Sequence, residues 1–149
     1  MSEAQTACRA TPGFHDDLIG LIGSNQGHVS EGASWILKAE LEGDVTLTTS
    51  QTAQLMDQLT DVKAWQTQLH LCQLARWLTL STPQAIAFSS WASAFSDHPR
   101  PFLRAWSMDA RWQIAQAHPA LMPEVSAVIE AALSDPAASV RARARNLGG

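Results

Sequence analysis

The sequence predicts an all-α fold of stacked antiparallel helix pairs, and three observations lead to that fold class. Small polar turns recur at Asn25, Asp61, Asp97 and Asp135, in steps of 36, 36 and 38 residues, a period typical of helical repeats. Apolar residues between the turns recur at intervals of three and four, as on one face of a helix. The β-branched stretch 45–49 is the one strand-like segment, and a strand without a partner cannot form a sheet, so we expect an extended linker there.

Turn and cap residues delimit the first four predicted helices. Two glycines around Asn25 end the first helix, and Gly43-Asp44 ends the second. Ser50 is the expected N-cap of the third helix. The fourth helix follows the turn at Asp61 and carries a wide apolar face. The predicted bounds are 14–22, 30–41, 51–59 and 63–80.

Proline residues mark the boundaries in the second half of the chain. Thr82 is the expected N-cap of the fifth helix, with Pro83 at the first helical position. Pro99 and Pro101 fit only the first turn of the sixth helix, because proline breaks a helix further in. The predicted bounds of the last four helices are 83–95, 100–117, 121–133 and 137–147.

Composition favours a single domain of residues 1–149, with residues 1–13 as a flexible N-terminal arm. Hydrophobic residues make up 46% of the chain and charged residues 16%, which is too apolar for a disordered chain. No stretch reaches the roughly 18 apolar residues of a membrane-spanning helix, and no signal-peptide pattern is present. We therefore expect a cytoplasmic protein without membrane contact, and we expect Cys8 and Cys72 to be free thiols.

The C-terminal segment carries a pattern known from helical repeats. A turn residue Asp135 is followed by Val140-Arg141, by the small residue Ala144 and by Leu147-Gly148. This pattern resembles the second half of a HEAT repeat. Two looser copies cover the chain from about residue 50 onwards, and residues 14–43 match by phase alone; the copies consist of Asp97, Leu103, Arg104, Ser107 and Ala110, and of Asp61, Trp65, Leu69 and Cys72.

The resemblance implies a short right-handed α-solenoid of three to four antiparallel HEAT-like helix pairs, whose second helices line the concave side. Proteins of this family are mostly protein-binding scaffolds, and some bind nucleic acid. The repeat also places Arg104 and Arg141 at equivalent positions after their turns. We expect the turn aspartates and these arginines to form a hydrogen-bond ladder between stacked repeats, and a ladder for anionic ligands is the alternative.

Charge is distributed unevenly along the chain. The net charge is −4; residues 1–97 carry four Lys/Arg and ten Asp/Glu, or −6, and residues 98–149 carry six Arg and four acids, or +2. An acidic body argues against nonspecific binding to duplex DNA, which needs many phosphate contacts. A protein or peptide is the expected partner, with nucleic acid as a less favoured one. End-to-end self-association of oppositely charged ends is a third hypothesis, and the sequence leaves the oligomeric state open.

Catalytic and metal-binding patterns are weak, so we expect no enzyme, no metal site and no cofactor. The five histidines lack the spacing or the Cys/His clustering of a metal site. His70 and Cys72 lie two apart on a helix and point in different directions, which argues against a nucleophile and base pair. The glycines of segment 20–27 lack the Lys-Ser/Thr of a phosphate loop.

Six tryptophans and no tyrosine form the one compositional anomaly. Trp35, Trp65, Trp91 and Trp106 fit apolar stripes and are expected in the core. Trp77 and Trp112 lie off those stripes and are candidates for a partner surface.

The predicted function is a non-catalytic scaffold that binds a protein or peptide on its concave surface. The candidate binding residues were chosen by helical phase and by residue type: Lys38, Lys63, His70, Gln73, Trp77, Arg104, Asp109, Arg111, Trp112 and Arg143. The alternative is a HEAT-like DNA-binding protein of the alkylated-base glycosylase type. Those enzymes use Trp, Asp and Arg on a concave basic surface, and one helix here carries Trp106, Asp109, Arg111 and Trp112.

Overall fold

A computed structural model describes residues 13–148, and this range is helical, with no strand. The prediction of an all-α fold is confirmed for that range. The predicted arm lies outside the described residues except for Gly13, as does Cys8. Within the range, the helices are α1 (Phe14–Ile22), α2 (Gly27–Glu42), α3 (Thr49–Asp57), α4 (Trp65–Leu74), α5 (Thr82–Ser93), α6 (Pro101–Ala117), α7 (Met122–Ala132) and α8 (Ala138–Gly148). None of them is long and apolar enough to cross a lipid bilayer.

The chain divides into two compact units, Met1–Leu71 and Cys72–Gly149, and the division falls inside α4. Each unit contains helices from successive predicted pairs. The prediction of a single domain over residues 1–149 stays a prediction.

In the first unit, α1 packs against α2 and α3. Its buried stripe is Leu18, Ile19 and Ile22, and α2 contributes Leu37 and Leu41 one turn apart. This is the spacing by which a helix buries one face. As expected, the linker 45–48 between α2 and α3 has no regular structure.

Polar contacts in the first unit join residues about one repeat apart. The side-chain amide of Gln51 donates to the carboxylate of Asp16 over 3.0 Å, and the backbone N–H of Gly23 donates to Gln58 Oε1 over 2.9 Å. Both pairs are 35 residues apart. The period of the turns therefore corresponds to a contact between equivalent positions of successive pairs.

In the second unit, α6 is central. It packs against α5, α7 and α8, and against the 3₁₀ turn Ala75–Trp77 that follows α4, while α7 also packs against α8. One core cluster joins α6, α7 and α8, with Trp112 and Leu147 packed against it; its members are Ala105, Met108, Ala115, Val125, Ile129, Val140 and Ala144.

Three helices begin earlier than predicted: α2 begins at Gly27, and α3 and α5 begin earlier because the N-cap is a different residue. Thr48 caps α3, accepting from the backbone N–H of Gln51 while the Gln51 side chain accepts from the Thr48 backbone. Ser81 and Gln84 form the same reciprocal capping box at α5. The predicted caps Ser50 and Thr82 are therefore wrong, since a capping box requires Gln or Glu three residues after the cap.

The predicted helix 63–80 is too long. Helix α4 ends at Leu74, the next three residues form a 3₁₀ turn, and Leu78 is extended. The extended cap residue Ser81 terminates any helix before it, although the apolar spacing continues through this region. As a result, Trp77 lies beyond the end of α4 and Lys63 precedes its start, so these two candidates do not share a face of α4 with His70.

The predicted ladder is confirmed for Arg104 and Asp135. Nε and Nη2 of Arg104 donate to the two carboxylate oxygens of Asp135 over 3.1 and 2.9 Å. Nη1 of Arg104 donates to the carbonyls of His98 and Pro99, six and five residues earlier. Arg141 donates to the carbonyls at the same offsets, so the two arginines are structurally equivalent.

Candidate functional site

The carboxylate of Asp109 lies at the centre of a charged cluster in the second unit. Its side chain, on α6, is only 1% exposed. Oδ1 accepts from Nη2 of Arg76 over 2.6 Å, and Oδ2 accepts from Nη1 of Arg143 over 3.2 Å. Arg76 comes from the 3₁₀ turn after α4 and Arg143 from α8. One buried carboxylate therefore joins three elements.

Tryptophan rings lie beside both of these arginines. The Trp106 ring, one turn before Asp109, has its centroid 4.3 Å from the guanidinium carbon of Arg143 and 5.6 Å from that of Arg76. The Trp77 ring lies 5.9 Å from the same atom of Arg76. These distances are those of cation–π contacts. We call Arg76, Trp106, Asp109 and Arg143 the Arg–Asp–Arg cluster.

The two arginine side chains of the cluster are partly exposed. The side chains of Arg76 and Arg143 are 32% and 31% exposed, and Trp77 is 37% exposed. Arg76 also lines a crevice of about 310 Å³ between the segment 78–80 and the C-terminal end of α6. The crevice wall includes His118, whose Nε2 lies 3.1 Å from the carbonyl of Leu80.

A second group of side chains lies on α2 and α4 in the first unit. Nδ1 of His70 is 2.7 Å from Oγ of Ser34. The Ser34 hydroxyl donates to the carbonyl of Glu31 over 2.9 Å, so its oxygen accepts from His70, and the proton of the neutral imidazole is on Nδ1. The Trp35 ring is 5.7 Å from the His70 ring, and Nζ of Lys38 lies 5.3 Å from the centroid of Trp35.

Burial sets the protonation of two groups in these regions. Burial lowers the pKa of His70, and Lys38 adds to this effect while Glu31 opposes it. Burial, reinforced by the charge of Asp109, raises the pKa of the Cys72 thiol well above its usual value. A neutral buried thiol is a poor nucleophile, and the structure gives no support to a catalytic role for Cys72.

The ring and cation contacts of the two units lie at equivalent repeat positions. Their members are Trp35, His70, Trp106 and Arg143, at steps of 35, 36 and 37 residues. They lie on α2, α4, α6 and α8, which are the second helices of their pairs. Within each unit the two members are in contact: the Trp35 and His70 rings are tilted against each other, and the Arg143 guanidinium group lies over the Trp106 ring. We call these four residues the second-helix set.

The structure brings together some of the candidates chosen from sequence. Asp109 and Arg143 are in direct contact, and Trp77 joins them through Arg76. Lys38 and His70 both lie beside Trp35, although Lys38 also forms an ion pair with Glu42.

Other candidates are placed elsewhere. Lys63 donates to the carbonyl of Thr60, Gln73 is half-buried, and Arg104 is held by Asp135. Trp112 packs against the core cluster of α6, α7 and α8.

Arg111 is only 3% exposed, contrary to the expectation of an exposed ridge position. It pairs with Glu124 over 2.9 Å, and its Nε is buried without a hydrogen-bond partner among residues 13–148. Asp109, also a candidate for the binding surface, is likewise buried.

Sequence reasoning missed Arg76 and misplaced two tryptophans. Trp35 was expected in the core but is 57% exposed, and Trp106 is half-buried beside two cations. A signal for the cluster was present: Asp109 follows Arg76 by 33 residues and precedes Arg143 by 34, close to the repeat period. Opposite charges at the repeat spacing predict contact between successive second helices.

Among residues 13–148, no three His, Cys, Asp or Glu side chains are grouped as metal ligands would be. Comparisons of the chain with protein families, with curated proteins and with solved structures find no match.

Proposed function

We propose that the chain is a non-catalytic helical-repeat scaffold that binds a protein or peptide along the exposed faces of its second helices. In this proposal the helix pairs form a short right-handed solenoid of HEAT-like repeats, and the second-helix set lies on its concave side. The contacts between residues one repeat apart, in each unit, support such a stack.

The observation that carries the proposal is the second-helix set itself. Its side chains are rings and cations at one repeat phase, and they are exposed or half-buried where the equivalent residues of a purely structural stripe would be apolar and covered. Tryptophan and arginine are enriched in protein-binding hot spots, and the set contains two tryptophans and one arginine. Trp35 exposes more than half of its surface at such a position.

Selection from a displayed library of random peptides tests the proposal without a known partner. The full chain is the bait, and the enriched peptides are then measured against Trp35→Ala and Arg143→Gln. Matched controls are Ile86→Ala and Arg145→Gln. Ile86 is an exposed apolar residue on α5, the first helix of its pair, and Arg145 is an exposed arginine on α8. We expect peptides that lose affinity for the first two variants and keep it for the controls.

Two results would count against the scaffold. One is a selection that enriches no peptide above an unrelated helical protein. The other is a set of peptides that bind all four variants as tightly as the wild type.

The glycosylase alternative has one observation in its favour, because the structure brings Trp106, Asp109 and Arg143 together. However, both oxygens of Asp109 are held by arginine and its side chain is covered. Of the remaining residues in that hypothesis, Arg111 is buried and Trp112 packs against the core. Release of alkylated bases from damaged DNA by the wild type, and its loss in Asp109→Asn, would reverse this preference.

A further inference from the structure

We propose that the Arg–Asp–Arg cluster is a binding site for a carboxylate of an acidic peptide segment, with Arg76 and Arg143 as its donors. This inference rests on the proposed scaffold function and names the chemistry of one part of the surface. The partner would present Asp or Glu to the two guanidinium groups and apolar side chains to Trp106 and Trp77.

The cluster carries an uncompensated positive charge. Arg76 and Arg143 contribute two cations, and Asp109 supplies one carboxylate. A covered carboxylate needs cationic or hydrogen-bonding partners, but a second arginine on the same carboxylate exceeds what neutrality requires. The excess corresponds to one monoanion, which is the charge of one partner carboxylate.

Other arginines of the same unit show what a purely structural role looks like. Arg104 donates through all three of its nitrogens, to Asp135 and to two backbone carbonyls. Arg141 donates to two carbonyls of its own turn. By contrast, Arg76 and Arg143 each make a single hydrogen bond within the described residues, and each keeps about a third of its side chain exposed. Their remaining N–H groups are available for a ligand.

Asp109 and Trp106 hold these donors in place before any ligand binds. A long arginine side chain loses rotamer entropy when a binding event immobilises it, and this loss weakens binding. Here the carboxylate fixes one nitrogen of each arginine, and the Trp106 ring lies against both guanidinium groups. Guanidinium groups present N–H donors in a planar fork that matches a carboxylate. The site is therefore preorganised for that ligand.

The small number of cations in the cluster favours a short acidic peptide over a nucleic acid. Residues 72–149 carry seven arginines and five acids, or +2, within a chain whose net charge is −4. Binding to a phosphate backbone depends on many simultaneous Lys/Arg contacts, and this cluster provides two. A short acidic segment needs no more than that.

Fluorescence anisotropy with a labelled peptide of alternating Glu and Leu measures the proposed recognition directly. The comparison peptide has Gln in place of every Glu. The test variant is R76Q/D109N/R143Q, which keeps hydrogen-bonding side chains and leaves no unpaired buried charge. The control is R145Q, which changes the net charge by the same −1 and lies two residues from Arg143 on α8.

We expect the Glu peptide to bind the wild type and R145Q with similar affinity. Binding to the triple variant should be at least about tenfold weaker, and the Gln peptide should be weaker on the wild type by a similar factor. Added salt should weaken the Glu complex, since the charges are partly exposed.

The carboxylate assignment is overturned if the triple variant binds the Glu peptide as well as R145Q does, with circular dichroism showing both folded. It is also overturned if single-stranded or duplex DNA binds the wild type more tightly than the Glu peptide does, and if this DNA binding is kept in R145Q and lost in the triple variant. Library peptides that need Trp35 but tolerate the triple variant and carry no acidic residue would leave the scaffold function standing and remove this site alone.

Discussion

The hydroxyl oxygen of Ser34 accepts a hydrogen bond from Nδ1 of His70 over 2.7 Å, across 36 residues of sequence. The same two second helices are joined four residues earlier by Ser30 and Thr67, whose hydroxyl oxygens lie 2.8 Å apart. Ser30 already donates to the carbonyl of Ile22, so Thr67 is the donor between them. These two polar contacts at nearly the repeat spacing, one buried and one partly buried, fix the register of α2 against α4.

The neutral form of His70 should make the stability of the protein pH-dependent. Because its pKa is lowered in the folded state by burial, the unfolded chain takes up this proton first as the pH falls. The stabilisation is present above the ordinary histidine pKa of about 6.5 and is lost as the pH falls through the lower folded value. As the pH is lowered from about 7 to about 5, we expect the unfolding free energy of the wild type to fall relative to that of His70→Asn. The slope of this difference is at most about 1.4 kcal/mol per pH unit.

Urea unfolding of both proteins at several pH values measures this difference. Glu31 and Lys38, which act on His70, are present in both proteins. His98, whose pKa is lowered by burial and by Arg100 and Arg104, is also present in both, so its titration cancels from the difference. If the difference in unfolding free energy between the wild type and His70→Asn stays constant over this pH range, burial does not lower the pKa of His70 in the folded state.

The Arg104–Asp135 pair should stabilise the second unit at neutral pH and not in acid. The hydrogen bonds from Arg104 lower the pKa of Asp135, and the backbone N–H of Ala137 contributes. A lowered carboxyl pKa gives stability above the unfolded value of about 4, which is lost as the pH falls through the folded value.

Asp135→Asn keeps an oxygen for the Ala137 N–H but removes the charge. We expect it to cost about 1–2 kcal/mol at neutral pH and less at an acidic pH below the unfolded pKa of Asp. Urea denaturation at the two pH values checks this, with Asp97→Asn as a control at the preceding turn. An equal loss at both pH values would mean that the charge of Asp135 is not what stabilises the pair.

The thiol of Cys72 should resist alkylation in the native protein. It is fully buried, and burial together with the charge of Asp109 raises its pKa, so the reactive thiolate is scarce at neutral pH. In a Cys8→Ser background, we expect iodoacetamide to modify Cys72 only at the rate of unfolding, as followed by mass spectrometry. Rapid modification without denaturant would contradict the burial and the neutral thiol.

The two capping boxes predict a pattern of small stability losses. Ser81→Ala and Thr48→Ala should each cost about 1 kcal/mol, because each removes the side-chain acceptor at a helix N-terminus. Their neighbours Thr82→Ala and Ser50→Ala are the controls and should change the unfolding free energy by less than about 0.5 kcal/mol. The reverse ranking, measured by thermal or urea unfolding, would restore the caps expected from the sequence pattern.

Much of the helical architecture could be predicted from residues close together in sequence. The turns at Asn25, Asp61, Asp97 and Asp135 separate helices as expected, and Arg104 does bind Asp135. The cap errors were avoidable, because Gln follows Thr48 and Ser81 by three residues while Ala follows Ser50 and Thr82 at that spacing.

The candidate surface was harder to predict, because helical phase specifies one buried face and α6 is covered on several sides. Helices α5, α7 and α8 and the turn Ala75–Trp77 all pack against it. Asp109 and Arg111 are therefore buried although neither lies on the predicted core stripe. Trp35 shows the opposite error, since apolar spacing placed it inside and no described element covers most of its surface. Only the arrangement of neighbouring helices decides these cases.

The indole N–H NMR signals of the six tryptophans show whether a partner binds the exposed face of the second helices. We would assign these signals by single Trp→Phe replacements and titrate the protein with a peptide from the library selection. We expect shifts for Trp35, or for Trp77 and Trp106, while Trp91 on α5, the first helix of its pair, and Trp112 in the core cluster stay unchanged. A shift of Trp91 with Trp35, Trp77 and Trp106 unmoved would place the binding surface on another face and rule out binding along the second helices.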